Sequence, residues 1–166
     1  MNINIGFDLS RVIIAGQVKR QPDFVSNGNV FLPRAVDTLL AITGRYGADH
    51  IFIVSHAKSQ DEEDRIREWC GRHGFYARTG ILAQNVLLCR ERLEKRTFCE
   101  RFHFDVLVDD RLEILGQIAD VVPQLFLFQG RKKEIQKRKN QPYRTLLDKR
   151  ITRVNSWGDL GKCLLC

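Results

Sequence analysis

The stretch NIGFDLSRVI (4–13) leads a short apolar run directly into an aspartate. Residues 3–7 have the composition of a short buried β-strand, and Asp8 follows where that strand would end. A single aspartate in this position is most often a helix cap or a turn former. The role of Asp8 therefore depends on which other residues the fold brings to the same place.

Strand patterns alternate with helix patterns along the rest of the chain. Further apolar strands are predicted at 50–55, 85–89, 105–110 and 124–128. Helices are predicted after Pro33, after Ser59 and over 91–102, 112–119 and 157–165. Strands that are apolar on both faces and separated by helices indicate a parallel sheet with helices on both sides. We therefore predict an α/β fold in which residues 1–166 form a single domain that ends in a short C-terminal helix.

The positive charge of the chain is concentrated in one segment, residues 131–150. The chain has 27 basic and 20 acidic residues, a formal net charge of +7. Nine of the basic and two of the acidic residues lie in this segment, so the remaining residues are neutral as a whole. Such a segment can hold nucleic acid or another polyanion through phosphate contacts. The alternative is a solvated, partly helical surface without a partner.

The sequence predicts a cytoplasmic protein without a membrane span. No apolar run approaches the roughly 20 residues that cross a bilayer, and the N-terminus lacks the pattern of a signal peptide. Five irregularly spaced cysteines are expected to be reduced thiols. The final CLLC (163–166) is expected to pack with the C-terminal helix, while a metal, redox or prenylation motif remains an alternative.

Several polar side chains are expected at the carboxyl ends of the predicted strands. Asp8, Ser55, Asp109 and Asp110 follow three of these strands, and Lys95 lies in the helix before the fourth strand. Ligands bind at this edge of an open parallel sheet. Crowded carboxylates repel one another unless a cation lies among them, and Mg²⁺ prefers oxygen ligands of this kind. The set suits the binding of a phosphoryl group that Asp8 attacks, although each residue alone has a simpler structural explanation.

Other common motifs for phosphate binding and hydrolysis are absent from the sequence. It contains no G-x-x-x-x-G-K-[ST], no G-x-G-x-x-G and no G-x-S-x-G. A receiver domain would have its acidic pair after the first strand, whereas here the pair comes late in the chain. The four histidines lack metal-ligand spacing, and His56, which is near the proposed edge, is expected to pack or to lie at the surface.

Four ordered segments resemble the motifs of the haloacid-dehalogenase-like (HAD) phosphohydrolases. They are IGFDLSRVI, IFIVSHA, CRERLEKRTFCERF and DVLVDDRLEIL. The resemblance covers nearly the whole chain and is greatest to small bacterial-type members. It implies a Rossmann-like sheet with strand order 5-4-1-2-3. The insert at about 11–32 is too short for a large cap domain.

The resemblance also implies a role for each site residue. Asp8 would be the nucleophile that forms an aspartyl-phosphate, Ser55 would bind the phosphoryl oxygens and Lys95 would balance their charge. Mg²⁺ would be held by Asp8, the backbone carbonyl of Ser10, Asp109 and Asp110. Of the acidic pair, Asp109 is the favoured direct ligand.

Ser10 departs from the pattern of the family. Most of its phosphatases carry an aspartate there as general acid and base, and such catalysis contributes roughly 10²–10⁴-fold. We therefore expect a slow Mg²⁺-dependent phosphatase or phosphotransferase. Its site would be open to a phosphorylated substrate that is large or nucleotide-like. The alternative is a catalytically silent HAD-fold domain that uses residues 131–150 to bind nucleic acid or a protein partner.

Overall fold

A parallel sheet forms the centre of this computed structural model, which describes residues 3–16 and 30–166. The strand order in the described chain is β3-β2-β1-β4-β5-β6, and all neighbours are parallel. The strands are β1 (Ile5–Phe7), β2 (Ile51–His56), β3 (Val86–Cys89), β4 (Val106–Asp109), β5 (Gln124–Phe128) and β6 (Ile151–Val154). The expected order of the first five strands is confirmed. The predicted lack of a cap concerns the insert at 11–32, and residues 17–29 of it lie outside the described residues.

Seven α-helices accompany the sheet in the described residues. They are α1 (Ala35–Tyr46), α2 (Gln60–Arg72), α3 (Phe75–Thr79), α4 (Glu94–Arg101), α5 (Leu112–Gln117), α6 (Lys132–Ile135) and α7 (Trp157–Leu165). Short 3₁₀ turns lie at Ala48–His50, Ala83–Asn85 and Arg138–Leu146. None of the described helices has the length and apolar character needed to span a membrane.

The helix starts follow local hydrogen bonding. The Ser59 hydroxyl caps α2 by accepting a hydrogen bond from the backbone N–H of Glu62 (3.3 Å), as the capping-box pattern predicts. Helix α4 begins at Glu94 rather than at Glu91. The turn before it is tightened into i→i+3 bonds, and the Glu94 carboxylate accepts from the Arg90 N–H (2.9 Å).

Two apolar cores cover the two faces of the sheet. On one face, Phe7, Ile53 and Phe128 pack with residues of α1, α2 and α7. On the other face, Phe52 and Leu107 pack with residues of α4 and α5. Burial on both faces explains why these strands are continuous apolar runs in the sequence. The prediction of helices on both sides is therefore confirmed.

The sequence did not reveal β6, which lies at the edge of the sheet beside β5. Ile151 and Val154 are buried, but Thr152 and Arg153 between them are exposed. An edge strand has one neighbour, so it needs no continuous apolar run. At the C-terminus, Leu164 packs into the core while Cys163 and Cys166 are exposed, so the expected packing of CLLC comes from its leucines.

Gly6 in β1 provides a test of this packing. A Cβ atom there would lie 2.5 Å from the Phe104 ring and 2.9 Å from the Leu107 side chain. We expect Gly6→Ala to lower the free energy of unfolding by about 1–3 kcal/mol in urea titrations, because the core has no room for the methyl group. Gly44→Ala is the matched control. It meets no atom within 4 Å and should be neutral or stabilising by about 0.5–1 kcal/mol. Equal effects of the two changes would contradict the close packing of β1.

Candidate active site

Neighbouring strands bring Asp8 and Asp109 together at the carboxyl edge of the sheet. Phe7 of β1 is paired with Val108 of β4, and the Asp8 N–H donates to the Val108 carbonyl (2.9 Å). The residues that follow this pair are Asp8 and Asp109, so the two aspartates lie side by side. Both are buried, and Asp109 has no exposed surface.

Lys95 of α4 lies between these two carboxylates. Its ammonium donates to Asp8 Oδ1 (2.9 Å) and to Asp109 Oδ2 (2.7 Å), and the residue is 4% exposed. Burial alone would lower the pKa of Lys95, but Asp109 and Asp8 outweigh it and raise the pKa above its ordinary value. The lysine therefore remains charged. Burial raises the pKa of Asp8, against the opposing effect of Lys95.

The two members of the acidic pair have different surroundings. Asp109 accepts hydrogen bonds at both oxygens, from Lys95 and from the Arg111 N–H (2.9 Å). Asp110 Oδ2 is buried and accepts no hydrogen bond from the described residues. Its nearest cationic groups are the guanidinium nitrogens of Arg11 and Arg131, both at 3.8 Å.

Burial raises the pKa of Asp110 to about 7, with further contributions from Asp109 and Asp8. The ionised form is therefore unfavourable in the protein alone. A buried oxygen that accepts no hydrogen bond is costly, and two guanidinium groups at 3.8 Å offset this cost less than a directly bound cation or donor would.

The apolar run after Arg11 fixes the loop that follows Asp8. Val12, Ile13 and Ile14 are fully buried, and the indole N–H of Trp157 donates to the Val12 carbonyl (2.6 Å). Arg11 adopts a left-handed backbone conformation (φ 65°), which turns the chain at the rim of the site.

Ser10 and Ile14 form an isolated parallel bridge in this loop. Its hydrogen bonds join Leu9 O to Ile14 N (3.2 Å) and Ile14 O to Arg11 N (2.6 Å). The Ser10 carbonyl takes no part in these two bonds. Among the described residues, no backbone N–H outside the helices and strands donates to it.

A cleft opens over these groups and gathers most of the predicted site residues. The cleft is lined by Asp8, Ser10, Ser55, Lys95 and Asp110, whereas Asp109 is fully buried and bonds to Lys95. His56 also lines the cleft, and its Nε2 donates to the Arg90 carbonyl (2.8 Å).

Three arginines at the cleft were missed by the sequence analysis: Arg11, Arg92 and Arg111. Arg11 and Arg111 directly follow the predicted acidic positions in the sequence, and this proximity was the available signal. Arg92 has no such signal, because its place depends on the turn before α4.

The acidic cluster fits a divalent cation. Asp8, Asp109 and Asp110 each offer a carboxylate oxygen, and these oxygens lie within 4.8 Å of one another. Hard oxygen donors are the ligands that Mg²⁺ prefers. Asp110 Oδ2, which accepts no hydrogen bond from the described residues, also favours a cation at this place.

Comparison with known proteins supports the fold. No protein-family model and no curated protein matches the sequence. The chain is similar to the crystal structure of a haloacid-dehalogenase-like hydrolase from Burkholderia xenovorans, with a TM-score of 0.54 and 19% identity over 85% of this chain and 60% of that one. It also resembles a de novo designed Rossmann 3x3 protein, with a TM-score of 0.46 and 13% identity over 98% of this chain and 93% of the design.

The likeness to the Burkholderia protein shows the fold alone. Together with the strand order, it confirms the predicted Rossmann-like α/β architecture. The chain spans 60% of the length of that hydrolase.

Asp110→Asn tests the electrostatics of the cluster. The folded-state pKa of Asp110 is raised, so this group costs stability as the pH rises from about 4 through 7. In EDTA at pH 8, the variant should be more stable than the wild type by roughly 2–4 kcal/mol in urea titrations. At pH 5 the advantage should shrink to less than half, because folded Asp110 is protonated there.

Mg²⁺ should stabilise the wild type at pH 8 more than it stabilises Asp110→Asn. Asp37→Asn, at an exposed position in α1, is the control and should show neither effect. An Asp110→Asn variant that is less stable than the wild type at pH 8 in EDTA would contradict the stated cost of ionising Asp110 in its buried position.

Proposed function

We propose that this protein is a Mg²⁺-dependent phosphohydrolase or phosphotransferase that acts through an aspartyl-phosphate on Asp8. One observation carries the proposal. A buried lysine holds Asp8 and Asp109 together, while the neighbouring Asp110 offers an unpartnered oxygen at the same cleft. The sequence motifs and the HAD-like fold agree with this function.

The first chemical step would belong to Asp8. Its carboxylate oxygen attacks the phosphorus of a phosphomonoester, the bond to the leaving oxygen breaks, and the leaving oxygen takes up a proton from solvent water. Lys95 holds the carboxylate in place, and the Ser55 hydroxyl donates to a phosphoryl oxygen. Water, or a second acceptor in a phosphotransferase, then attacks the phosphorus and frees Asp8.

Mg²⁺ would be held by oxygens of Asp8, Asp110 and the Ser10 carbonyl, with Asp109 behind them. When bound, it neutralises negative charge on the transferring phosphoryl group. The sequence favours Asp109 as the direct ligand, but the contacts favour Asp110. Asp109 already accepts from Lys95 and Arg111, whereas Asp110 Oδ2 has no donor among the described residues.

The side chain of Ser10 sets the expected rate. A hydroxyl with a pKa far above neutrality cannot protonate the leaving group or activate water, and this deficit is worth roughly 10²–10⁴-fold. We therefore expect slow turnover. The cleft is open toward the exposed Arg92 at its rim, which is compatible with a large or nucleotide-like substrate.

Ser10 is also the observation that favours a silent binding domain as the second candidate. Such a domain would keep the fold and bind a nucleic acid or a protein through residues 131–150. It would show no turnover even at high protein concentration, so the same assays separate the two candidates.

The first test is hydrolysis of an aryl phosphate. We expect slow phosphate release with Mg²⁺, none with EDTA, and background rates for Asp8→Asn, because the amide cannot attack phosphorus. Asp37→Asn is the matched control and should retain the wild-type rate. Mg²⁺-dependent turnover that persists in Asp8→Asn would show that another group is the nucleophile.

The second test restores the missing acid. Ser10→Asp should raise kcat on a sugar phosphate by roughly 10- to 100-fold, because the new carboxyl can protonate the leaving oxygen. Ser10→Asn introduces a side chain of the same size as aspartate but without an ionisable group, and it should not raise kcat. Equal kcat values for the two variants would mean that proton transfer at this position does not limit turnover.

A further inference from the structure

A series of cations begins at the rim of the candidate site. Strand β5 ends at the same edge as β1 and β4, and the chain continues into Arg131 and α6. Arg131 and Arg11 approach the same oxygen of Asp110, each at 3.8 Å. The basic segment 131–150 therefore starts at the cleft.

Three of the five later cations of this segment make contacts within the protein. Arg144 donates to the backbone carbonyls of Ile135 and Lys137. Arg150 donates to the backbone carbonyls of Ala119 and Val122, which precede β5 and therefore lie near the amino ends of the strands. The side chain of Lys139 pairs with that of Glu113. These contacts fasten the segment to the fold and fix the positions of three cations, whereas Arg138 and Lys149 are exposed and have no acidic partner among the described residues.

The earlier cations are directed to solvent. Lys132, Lys133 and Lys137 are exposed and have no acidic partner among the described residues. Glu134, which lies among them, is buried and accepts hydrogen bonds from the Leu112 N–H and the Asn140 side chain. Its negative charge is therefore turned inward. We call Arg11, Arg131, Lys132, Lys133 and Lys137 the cation row.

Two hollows connect the cation row to the cleft. The first shares Arg11 and Asp110 with the cleft and is also lined by Arg131. The second shares Arg131 with the first and is lined by Lys132, Lys133 and Lys137. A chain of negative charges can thus follow the described surface from the cleft. The acids that line the two hollows, Asp110 and Glu134, are both buried.

The opposite side of the cleft has mixed charge. The groove there contains Lys58 and Arg92, but also Glu91 and Glu113. Arg90 in the same groove donates to the Glu63 carboxylate (3.0 Å) and to the backbone carbonyls of Ala57 and Ser59. The continuous positive surface therefore leaves the site in one direction.

We propose that the cation row holds a nucleic-acid strand whose terminal phosphate enters the cleft. The inference rests on the proposed function and names its substrate class. Because the cation row lies on one side of the cleft only, it fits a polyanion whose end lies in the cleft. A phosphoprotein brings one phosphate with surroundings of mixed charge, so it would not need a row of cations. A distance of 3.8 Å is an ion pair but exceeds a hydrogen bond, so Arg11 and Arg131 retain N–H donors for phosphate oxygens.

The test compares phosphate release from an aryl phosphate, a mononucleotide and short oligonucleotides with a 5′- or a 3′-phosphate, all with Mg²⁺. We expect kcat/KM to be at least about tenfold higher for one of the oligonucleotides than for the mononucleotide at low salt. The preference should fall as salt rises, and it should be absent for a phosphopeptide.

Charge-matched variants test the cation row itself. Lys132→Gln/Lys137→Gln should lower kcat/KM for the preferred oligonucleotide about tenfold at low salt. It should also reduce the salt slope by about two, because each of the two lysines neutralises one phosphate. Lys149→Gln/Lys162→Gln removes the same charge from exposed lysines outside the row, and it should leave the slope unchanged. Fluorescence anisotropy with Asp8→Asn should show the same difference in binding.

The results separate this inference from the proposed function. If the aryl phosphate is hydrolysed but no oligonucleotide exceeds the mononucleotide, or a phosphopeptide is preferred, the substrate class is wrong and the proposed function stands. Equal decreases in the two double variants would also overturn the role of the row. If Mg²⁺ supports turnover of none of these esters, both proposals are wrong.

Discussion

The contact between Lys95 and two aspartates is the interaction on which the site depends. A buried ammonium is stripped of its hydration, and here two charge-assisted hydrogen bonds to Asp8 and Asp109 offset that cost. The contact joins α4 to β1 and β4, so it fixes the carboxylate of Asp8 to the sheet. Arg11 and Arg131, both partly exposed, approach the third carboxylate, that of Asp110, from 3.8 Å. Without them, Lys95 and the three carboxylates carry a net charge of −2 when Asp110 is ionised. That excess is what a divalent cation would neutralise.

Strong packing around the site allows this unfavourable arrangement of charge. The buried run Val12–Ile14 holds the loop after Asp8, and Trp157 of α7 fastens that loop by a hydrogen bond to its backbone. The carboxylates therefore cannot move apart to relieve their repulsion. Burial is the main cause of the raised pKa of Asp110, and the nearby Asp109 and Asp8 raise it further. A site that binds a cation and phosphate gains from being held in place before either arrives.

The sequence predicted features that depend on the backbone and not those that depend on side-chain partners. Apolar runs in the sequence predicted β1 to β5, because burial on both faces of the sheet requires such runs. The ends of the runs predicted the positions of the acidic residues. Strand β6 was missed because Thr152 and Arg153 face solvent. The difference between Asp109 and Asp110 depends on which way each carboxylate points. The use of Arg150 for backbone carbonyls leaves no pattern in the sequence either, so residues 131–150 looked like one patch.

The serine at position 10 and the cation row bear on the same problem. Attack by Asp8 does not require an acid at position 10, but the departure of a sugar hydroxyl does, because an alkoxide is a poor leaving group. Binding energy from parts of the substrate far from the reacting bond can lower a barrier when it is used to hold the phosphorus in line with the nucleophile. A strand fixed along Arg131 and α6 would provide such energy, whereas a small ester would not. An enzyme that lacks its acid would thus depend on a long polyanionic substrate more than a complete phosphatase does.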